Sequence, residues 1–201
     1  MKLKIFAVLP ALLCAALVSA MPQIGQTAPD FTLVDSKGQS HSLKDFAGKT
    51  VVLEWTNHDC PFVKKHYQGN MQALQREFTG QADTVWLSVI SSAPGKQGHV
   101  SPAQAEQLTQ SRNAAPTAVV FDESGAVGKA FDAKTTPHMY VIDAKGVLQY
   151  MGGIDSIPSA KVEDIVKATP YFSNAATAVL AGEAAKPAVS RPYGCSIKYA
   201  D

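Results

Sequence analysis

One cysteine stands where the sequence predicts the start of a helix. The run Val51–Trp55 is apolar and rich in β-branched residues, which indicates a buried strand. Cys60 and Pro61 follow it, and proline favours the first helical position because its missing N–H would have no partner there. Cys60 is therefore predicted at the N-cap, where free backbone N–H groups and the helix dipole stabilise a thiolate. We expect a reactive thiol with a pKa below the ordinary value of about 8.5.

An acidic residue precedes this cysteine in the predicted strand. Glu54 lies six residues before Cys60, within the apolar run. An ionised carboxylate inside a two-sided sheet is costly unless its pKa rises or it gains a partner. A carboxyl group with a raised pKa can accept a proton from a neighbouring thiol. Glu54 is therefore a candidate proton acceptor, and the alternative is that it reaches solvent or pairs with a lysine.

The other residues near the thiol each have two interpretations. His58 and Asp59 either tune the thiol or serve as turn and capping residues. Lys64 and Lys65 are predicted to form a solvated helix face. Trp55 either shields the site and contacts substrate, or packs in the core.

The N-terminal segment has the pattern of a signal peptide. Lys2 and Lys4 precede an apolar stretch over 5–18, and small residues follow it before Met21. We predict that residues 1–20 are removed and that the mature protein is periplasmic or secreted. No stable membrane span is expected, because the apolar stretch is too short for one.

Charge and length narrow the possible functions. The 201-residue chain has a net charge of +1, from 18 basic and 17 acidic residues. Loss of the two lysines in 1–20 leaves 16 basic residues and a net charge of −1, so no basic field is left to bind nucleic acid. The length predicts one domain over 21–183, followed by an extended, proline-interrupted tail over 184–201.

Two cysteines belong to the predicted mature chain. Cys14 lies in the signal segment, which leaves Cys60 and the tail residue Cys195. An even pair of cysteines in an exported protein suggests a disulfide.

Strands and helices alternate along the chain. In chain order the patterns predict a hairpin over 31–43, a short helix over 43–47, a strand over 50–56, a helix from 60 with a kink at 69–70, a strand over 84–90, a helix over 101–113, a strand over 118–121, a helix over 125–131, two paired strands over 138–142 and 147–151, and a last helix over 171–180.

This order resembles the thioredoxin superfamily over about residues 25–182, in its redoxin or peroxiredoxin-like (AhpC/TSA-type) branch. The likeness rests on the opening Ala28–Phe31, the Cys60-Pro61 pair at a strand–helix junction, and Thr136-Pro137. The tail ending Gly194–Lys198 also resembles that of some peroxiredoxin-like proteins. The resemblance implies an α/β thioredoxin-like fold, with a central mixed sheet flanked by helices and an N-terminal β-hairpin extension.

The resemblance also implies roles for single residues. Glu54 has the offset at which thioredoxins keep a buried acid. Thr136 and Pro137 match the cis-proline loop, which would present backbone N–H and C=O groups to a substrate chain. Trp55 and Pro61 would complete the substrate-binding surface beside the thiol.

Two departures limit what can be transferred from the family. Val63 stands where thioredoxins have their second cysteine, so a resolving thiol must come from elsewhere, and Cys195 is the candidate. Thr56 precedes Cys60 by four residues instead of the three found in peroxiredoxins, so the peroxide-binding pattern is incomplete.

Four functions follow, in order of preference. The first is thiol-disulfide exchange by Cys60 with a disulfide- or thiol-bearing protein and an external thiol reductant. The second is an antioxidant thiol peroxidase acting on a hydroperoxide. The third is a copper-binding module that uses Cys60 with His58, His66 or His138. The fourth is a scaffold in which the two cysteines form a permanent disulfide. The preferred function requires no cofactor and no metal.

Overall fold

The computed structural model describes residues 21–81 and 83–200, so the predicted signal peptide lies outside the described residues. No helix in these two ranges is long and apolar enough to cross a membrane. The strands are β1 Thr32–Asp35, β2 Ser40–Ser42, β3 Thr50–Trp55, β4 Thr84–Ile90, β5 Ala118–Phe121, β6 Thr135–Thr136, β7 His138–Ile142, β8 Leu148–Gly152 and β9 Cys195–Ser196. The helices are α1 Pro61–His66, α2 Asn70–Thr79, α3 Pro102–Ser111, α4 Ala126–Ala130 and α5 Tyr171–Leu180, with short 3₁₀ helices at Leu43–Phe46 and Val162–Lys167.

Seven of the described strands form one mixed sheet in the order β2-β1-β5-β4-β3-β7-β8. Strands β3, β4 and β5 run parallel, whereas β7 pairs antiparallel to β3 on the other side. The hairpin β1–β2 joins the opposite edge through β5. The predicted α/β fold with its N-terminal hairpin is therefore confirmed.

The kink predicted near Gly69 is a complete break between α1 and α2. Gly69 has a φ of +121°, in the region that favours glycine, so the chain changes direction there. Helix α1 is consequently a short, separate helix over Pro61–His66, and Cys60 is its N-cap.

The two faces of the sheet have different neighbours. Because successive side chains of a strand point to opposite faces, Val51, Leu53 and Trp55 lie in one core cluster and Val52 lies in the other. Helix α5 packs on the second face, together with α2. Glu54 has the parity of Val52, so its side chain enters the second face.

The tail, which was predicted to form no regular element, contains a short strand that the pattern did not reveal. Strand β9 pairs antiparallel with β6, so that Cys195 is opposite Thr136 and Ser196 is opposite Thr135. A two-residue strand has no periodicity, and its partner is distant in the sequence. This small second sheet brings Cys195 to the start of α1.

Candidate active site

Cys60 is the N-cap of α1, as predicted. Its backbone is extended, with φ −67° and ψ 124°, and Pro61 occupies the first turn. The side chain is fully buried, with 0% exposure. Pro61 itself is exposed beside it.

The Cys60 thiol touches the cis-proline loop and the tail. It donates a hydrogen bond to the carbonyl oxygen of Thr136 at 3.1 Å. The backbone N–H of Cys195 donates to Cys60 Sγ at 3.4 Å. Both cysteines are free thiols in this structure. The two sulfur-bearing residues therefore lie side by side without a bond.

The two thiols have opposite pKa shifts. Burial on its own would raise the Cys60 pKa, but hydrogen bonds from the Cys195 thiol and from the backbone of Val63 and Cys195 outweigh it, and the net pKa is lowered. Burial raises the Cys195 pKa to about 11, and the neighbouring Cys60 adds to this effect. Cys60 is accordingly the residue that ionises first, while Cys195 stays protonated and donates to it.

The Thr136–Pro137 peptide bond is cis, as the resemblance implied. Thr136 is buried, and its backbone pairs with Cys195 across the β6–β9 sheet. The backbone edge that was predicted to receive a substrate chain is thus occupied by the protein's own tail.

Trp55 lies in the core. It is 0% exposed, and its indole N–H donates to Ser91 Oγ at 3.0 Å. Its ring packs against Phe131 and Tyr140, with centroids 5.4 and 5.0 Å away. The structure therefore gives Trp55 a packing position with no surface exposed to a substrate, the second of its two interpretations.

Glu54 is a buried carboxylate held by four side-chain donors. Tyr67 OH, Trp86 Nε1 and Ser88 Oγ each donate to it at 2.9 Å, and Gln75 Nε2 donates at 3.2 Å. Burial raises its pKa, although these hydrogen bonds oppose the shift. The predicted buried acid is present with no exposure to solvent, and no lysine among residues 21–81 and 83–200 pairs with it.

Glu54 and Cys60 belong to separate hydrogen-bond networks. The described bonds of the Glu54 carboxylate go to α2, β4 and Tyr67, while those of the Cys60 thiol go to Thr136 and Cys195. The structure does not bring the carboxylate into direct hydrogen-bond contact with the thiol. A proton-acceptor role for Glu54 stays a prediction.

The prediction of a solvated face for Lys65 is wrong. Its side chain is 0% exposed, and its Nζ lies 3.5 Å from Asp155 Oδ2. His66 Nε2 lies 3.1 Å from the hydroxyl of Tyr193, which in turn donates to Asp155. We call these four residues the polar cluster. Tyr193 belongs to the tail, and no local pattern links it to α1, because these contacts join distant parts of the chain.

The protonation states in the polar cluster follow from burial. Burial and Lys65 lower the pKa of His66 to about 4 despite the opposing effect of Asp155, so His66 is neutral at pH 7. Its Nδ1 accepts from Asn70 at 2.9 Å, so its Nε2 donates to Tyr193. Burial and the bond to Asp155 keep the pKa of Tyr193 well above its ordinary value, so its hydroxyl can donate.

The histidines are not arranged as a copper site with Cys60. Both ring nitrogens of His66 have partners in the protein, and His138 Nδ1 lies 3.1 Å from the hydroxyl of Tyr140. His58 Nε2 faces Asp59 at 3.5 Å, and burial lowers its pKa. In the part of the chain that the structure describes, no group of three acidic, cysteine or histidine residues could hold a metal ion.

Comparison with known proteins gives consistent results. A profile of the AhpC/TSA family matches residues 24–151. The thioredoxin-like protein YneN of Bacillus subtilis is 28% identical over 127 residues, which cover 63% of this chain and 69% of that protein. A crystal structure of an uncharacterized conserved protein from Geobacillus kaustophilus has a TM-score of 0.72 at 26% identity, covering 90% of this chain and 94% of that one. The thioredoxin domain of a thiol-disulfide oxidoreductase from Bacteroides vulgatus shares the fold, with a TM-score of 0.51 at 18% identity over 72% of this chain and 96% of that one.

Proposed function

This chain belongs to the AhpC/TSA family of thioredoxin-fold oxidoreductases, and we propose that it is a thiol-disulfide oxidoreductase in which Cys60 is the nucleophile and Cys195 the resolving thiol. One observation carries the proposal. The Cys195 backbone N–H donates to Cys60 Sγ at 3.4 Å, which places this residue directly against the nucleophile. A second thiol therefore stands beside the nucleophile although Val63 removes the usual local partner.

In the first step the Cys60 thiolate attacks one sulfur of a substrate disulfide. That disulfide bond breaks, a mixed disulfide forms between Cys60 and the substrate, and the other substrate sulfur leaves as a thiolate and takes up a proton. The lowered pKa of Cys60 favours this step because more of the thiol is ionised at neutral pH.

In the second step Cys195 loses its proton and attacks Cys60 Sγ. The mixed disulfide breaks, the substrate leaves with both sulfurs reduced, and a Cys60–Cys195 disulfide remains. Part of the elevation of the Cys195 pKa comes from Cys60, and the mixed disulfide removes that charge. An external dithiol then reduces the protein and completes the cycle.

Several residues would hold the substrate in place. Thr136 and Pro137 would supply the backbone edge for the substrate chain once the tail has moved, and the exposed Pro61 would form the surface beside it. A hydroperoxide is the alternative substrate, which the family match supports and the position of Thr56 opposes. In that reaction Cys60 becomes a sulfenic acid, which condenses with Cys195.

We also propose that the protein is exported. The support is the N-terminal sequence, in which two lysines precede an apolar stretch and small residues. A mature N-terminus near Met21 in the periplasmic or secreted fraction is expected from mass spectrometry, and an intact N-terminus in that fraction would contradict cleavage.

A turnover assay tests the proposed function. Residues 21–201 are assayed with a protein disulfide and, in parallel, with a hydroperoxide, both with an external dithiol. Cys60→Ser is expected to abolish turnover, and Cys195→Ser to accumulate a mixed disulfide at Cys60. Full activity of Cys60→Ser would contradict the assignment of the nucleophile. Efficient turnover of the hydroperoxide alone would replace disulfide exchange by peroxidase activity.

A further inference from the structure

The nucleophile is covered in the reduced protein. Cys60 has 0% exposure, and its sulfur is bounded by the carbonyl of Thr136 and the backbone of Cys195. Disulfide exchange requires the attacking sulfur to reach a substrate sulfur along the line of its S–S bond. A protein disulfide therefore cannot react until the tail moves away from Cys60.

Tyr193 fastens the tail to α1. Its hydroxyl donates to Asp155 and is contacted by His66 Nε2 at 3.1 Å and by Lys65 Nζ at 3.4 Å. Its ring lies against Phe62, with centroids 5.7 Å apart. Three of these four partners belong to α1, so the tail is attached to the helix that begins at the nucleophile.

The chain between Tyr193 and the resolving thiol is very short. Only Gly194 separates Tyr193 from Cys195. Gly194 has a φ of +138°, and a Cβ on it would clash with the carbonyl oxygen of Thr136. The position of the Tyr193 hydroxyl therefore determines whether Cys195 lies at Cys60.

We propose that Tyr193 is a positioning residue that acts as the latch of the tail. With its hydroxyl bound in the polar cluster, Cys195 is held against Cys60 and a substrate disulfide is excluded. With its hydroxyl released, Cys60 is open to a substrate and Cys195 is withdrawn. The proposal rests on the proposed function. In it, the Tyr193 hydroxyl slows the attack of Cys60 on the substrate disulfide and speeds the attack of Cys195 on the mixed disulfide.

Rapid mixing with glutathione disulfide measures both steps in one experiment. The Cys60 thiolate first attacks the reagent, which gives a glutathione adduct on Cys60 and one glutathione thiolate. Cys195 then attacks Cys60 Sγ, which gives the Cys60–Cys195 disulfide and a second glutathione thiolate. Acid quenching and mass spectrometry follow the formation and the decay of the adduct.

The latch predicts changes of opposite sign. Tyr193→Phe keeps the ring and removes only the hydroxyl. Formation of the adduct is expected to accelerate about tenfold, and its decay to slow about tenfold, as for the loss of one hydrogen bond to a charged group. A residue that only supports the fold would change both rates in the same direction or neither.

Two further variants control this result. Tyr171→Phe makes the same chemical change at a residue of α5 that lines the cavity next to Tyr193, and both of its rates are expected to match the wild type. Gly194→Ala forces the tail away from Thr136 while every side chain of the polar cluster is kept, so it is expected to reproduce the Tyr193→Phe pattern even if that variant folds poorly.

Unchanged rates in Tyr193→Phe, or a parallel decrease of both rates in Tyr193→Phe and Gly194→Ala, would overturn the latch. The proposed function fails in a different way. In that case the wild-type protein forms no adduct at Cys60, or forms one that Cys195 never resolves.

Discussion

Two carboxylates are buried close to the end of helix α1, and they are enclosed differently. Glu54 is surrounded by donors from β4, from α2 and from Tyr67, all of which belong to the folded domain. Asp155 is enclosed by α1 on one side and by Tyr193 of the tail on the other. The first site can open only if the domain does, whereas the second opens when a terminal segment moves.

The two networks therefore have different roles: the one around Glu54 stabilises the folded domain, and the one around Asp155 holds the tail against the active site. A network closed by regular elements holds the central strands and helices in one arrangement, and it makes no described contact with the thiol. The network around Asp155 includes Tyr193 of the tail, so a movement of the tail breaks part of this network while the folded domain stays intact. Cys195, the residue that contacts the nucleophile, lies in this same tail.

The largest expected effect is a loss of stability when the ion pair between Lys65 and Asp155 is broken. Lys65→Met removes a cation that is 0% exposed and leaves the Asp155 carboxylate buried without its ion-pair partner. Breaking a buried pair in this way costs about 3–5 kcal/mol in the free energy of unfolding. Urea denaturation measures this loss. The neighbouring exposed residue provides the control, because Lys64→Met is expected to change the free energy by less than about 0.5 kcal/mol. Equal effects of the two variants would mean that Asp155 does not need Lys65.

The second prediction concerns the Glu54 side and its dependence on pH. Burial raises the folded-state pKa of Glu54 above the ordinary value of 4.5, so its contribution to stability is present below pH 4.5 and is lost as the pH rises through the folded-state pKa. The side chain of Glu54→Gln cannot ionise, so its free energy of unfolding is expected to lack this decline as the pH rises above 4.5. Glu77→Gln, at an exposed position of α2, is expected to keep it. Parallel curves for wild type and Glu54→Gln would contradict the raised pKa.

The same variant sharpens the role of Glu54 in the reaction. If Glu54 accepts the thiol proton, Glu54→Gln slows turnover at neutral pH more than it changes the KM for the substrate. Because the described hydrogen bonds of Glu54 do not reach Cys60, we expect its turnover number to stay close to the wild-type value. A strongly reduced turnover number with unchanged stability would show that the two networks are coupled.

The last prediction concerns the pKa of the Cys60 thiol. Cys195→Ala removes the thiol that donates to Cys60 but keeps the backbone donors of Val63 and residue 195. The pKa of Cys60 is therefore expected to rise, and the rate of iodoacetamide alkylation to reach its half-maximal value at a higher pH than in the wild type. An unchanged or lower midpoint would show that the Cys195 thiol does not stabilise the thiolate.

Local patterns were sufficient to predict much of the fold. The apolar run of β3, the N-cap pair Cys60-Pro61 and the glycine at position 69 each specify a conformation through their immediate neighbours, and each lies where the sequence indicated. The strand of the tail and the latch depend instead on contacts between distant segments. Lys65 is the clearest example of what local patterns do not predict. A lysine is ordinarily exposed to solvent, and this one is buried because the fold brings the distant Asp155 close to it.

The most direct measurement is a redox titration of residues 21–201, with peptide mapping at each potential. The account predicts that one two-electron couple, the Cys60–Cys195 disulfide, forms and is reduced reversibly, with a potential above about −300 mV, in the range of labile disulfides. Oxidised protein in which Cys60 carries a reagent adduct while Cys195 stays a free thiol would contradict it, as would a link that remains oxidised throughout this range.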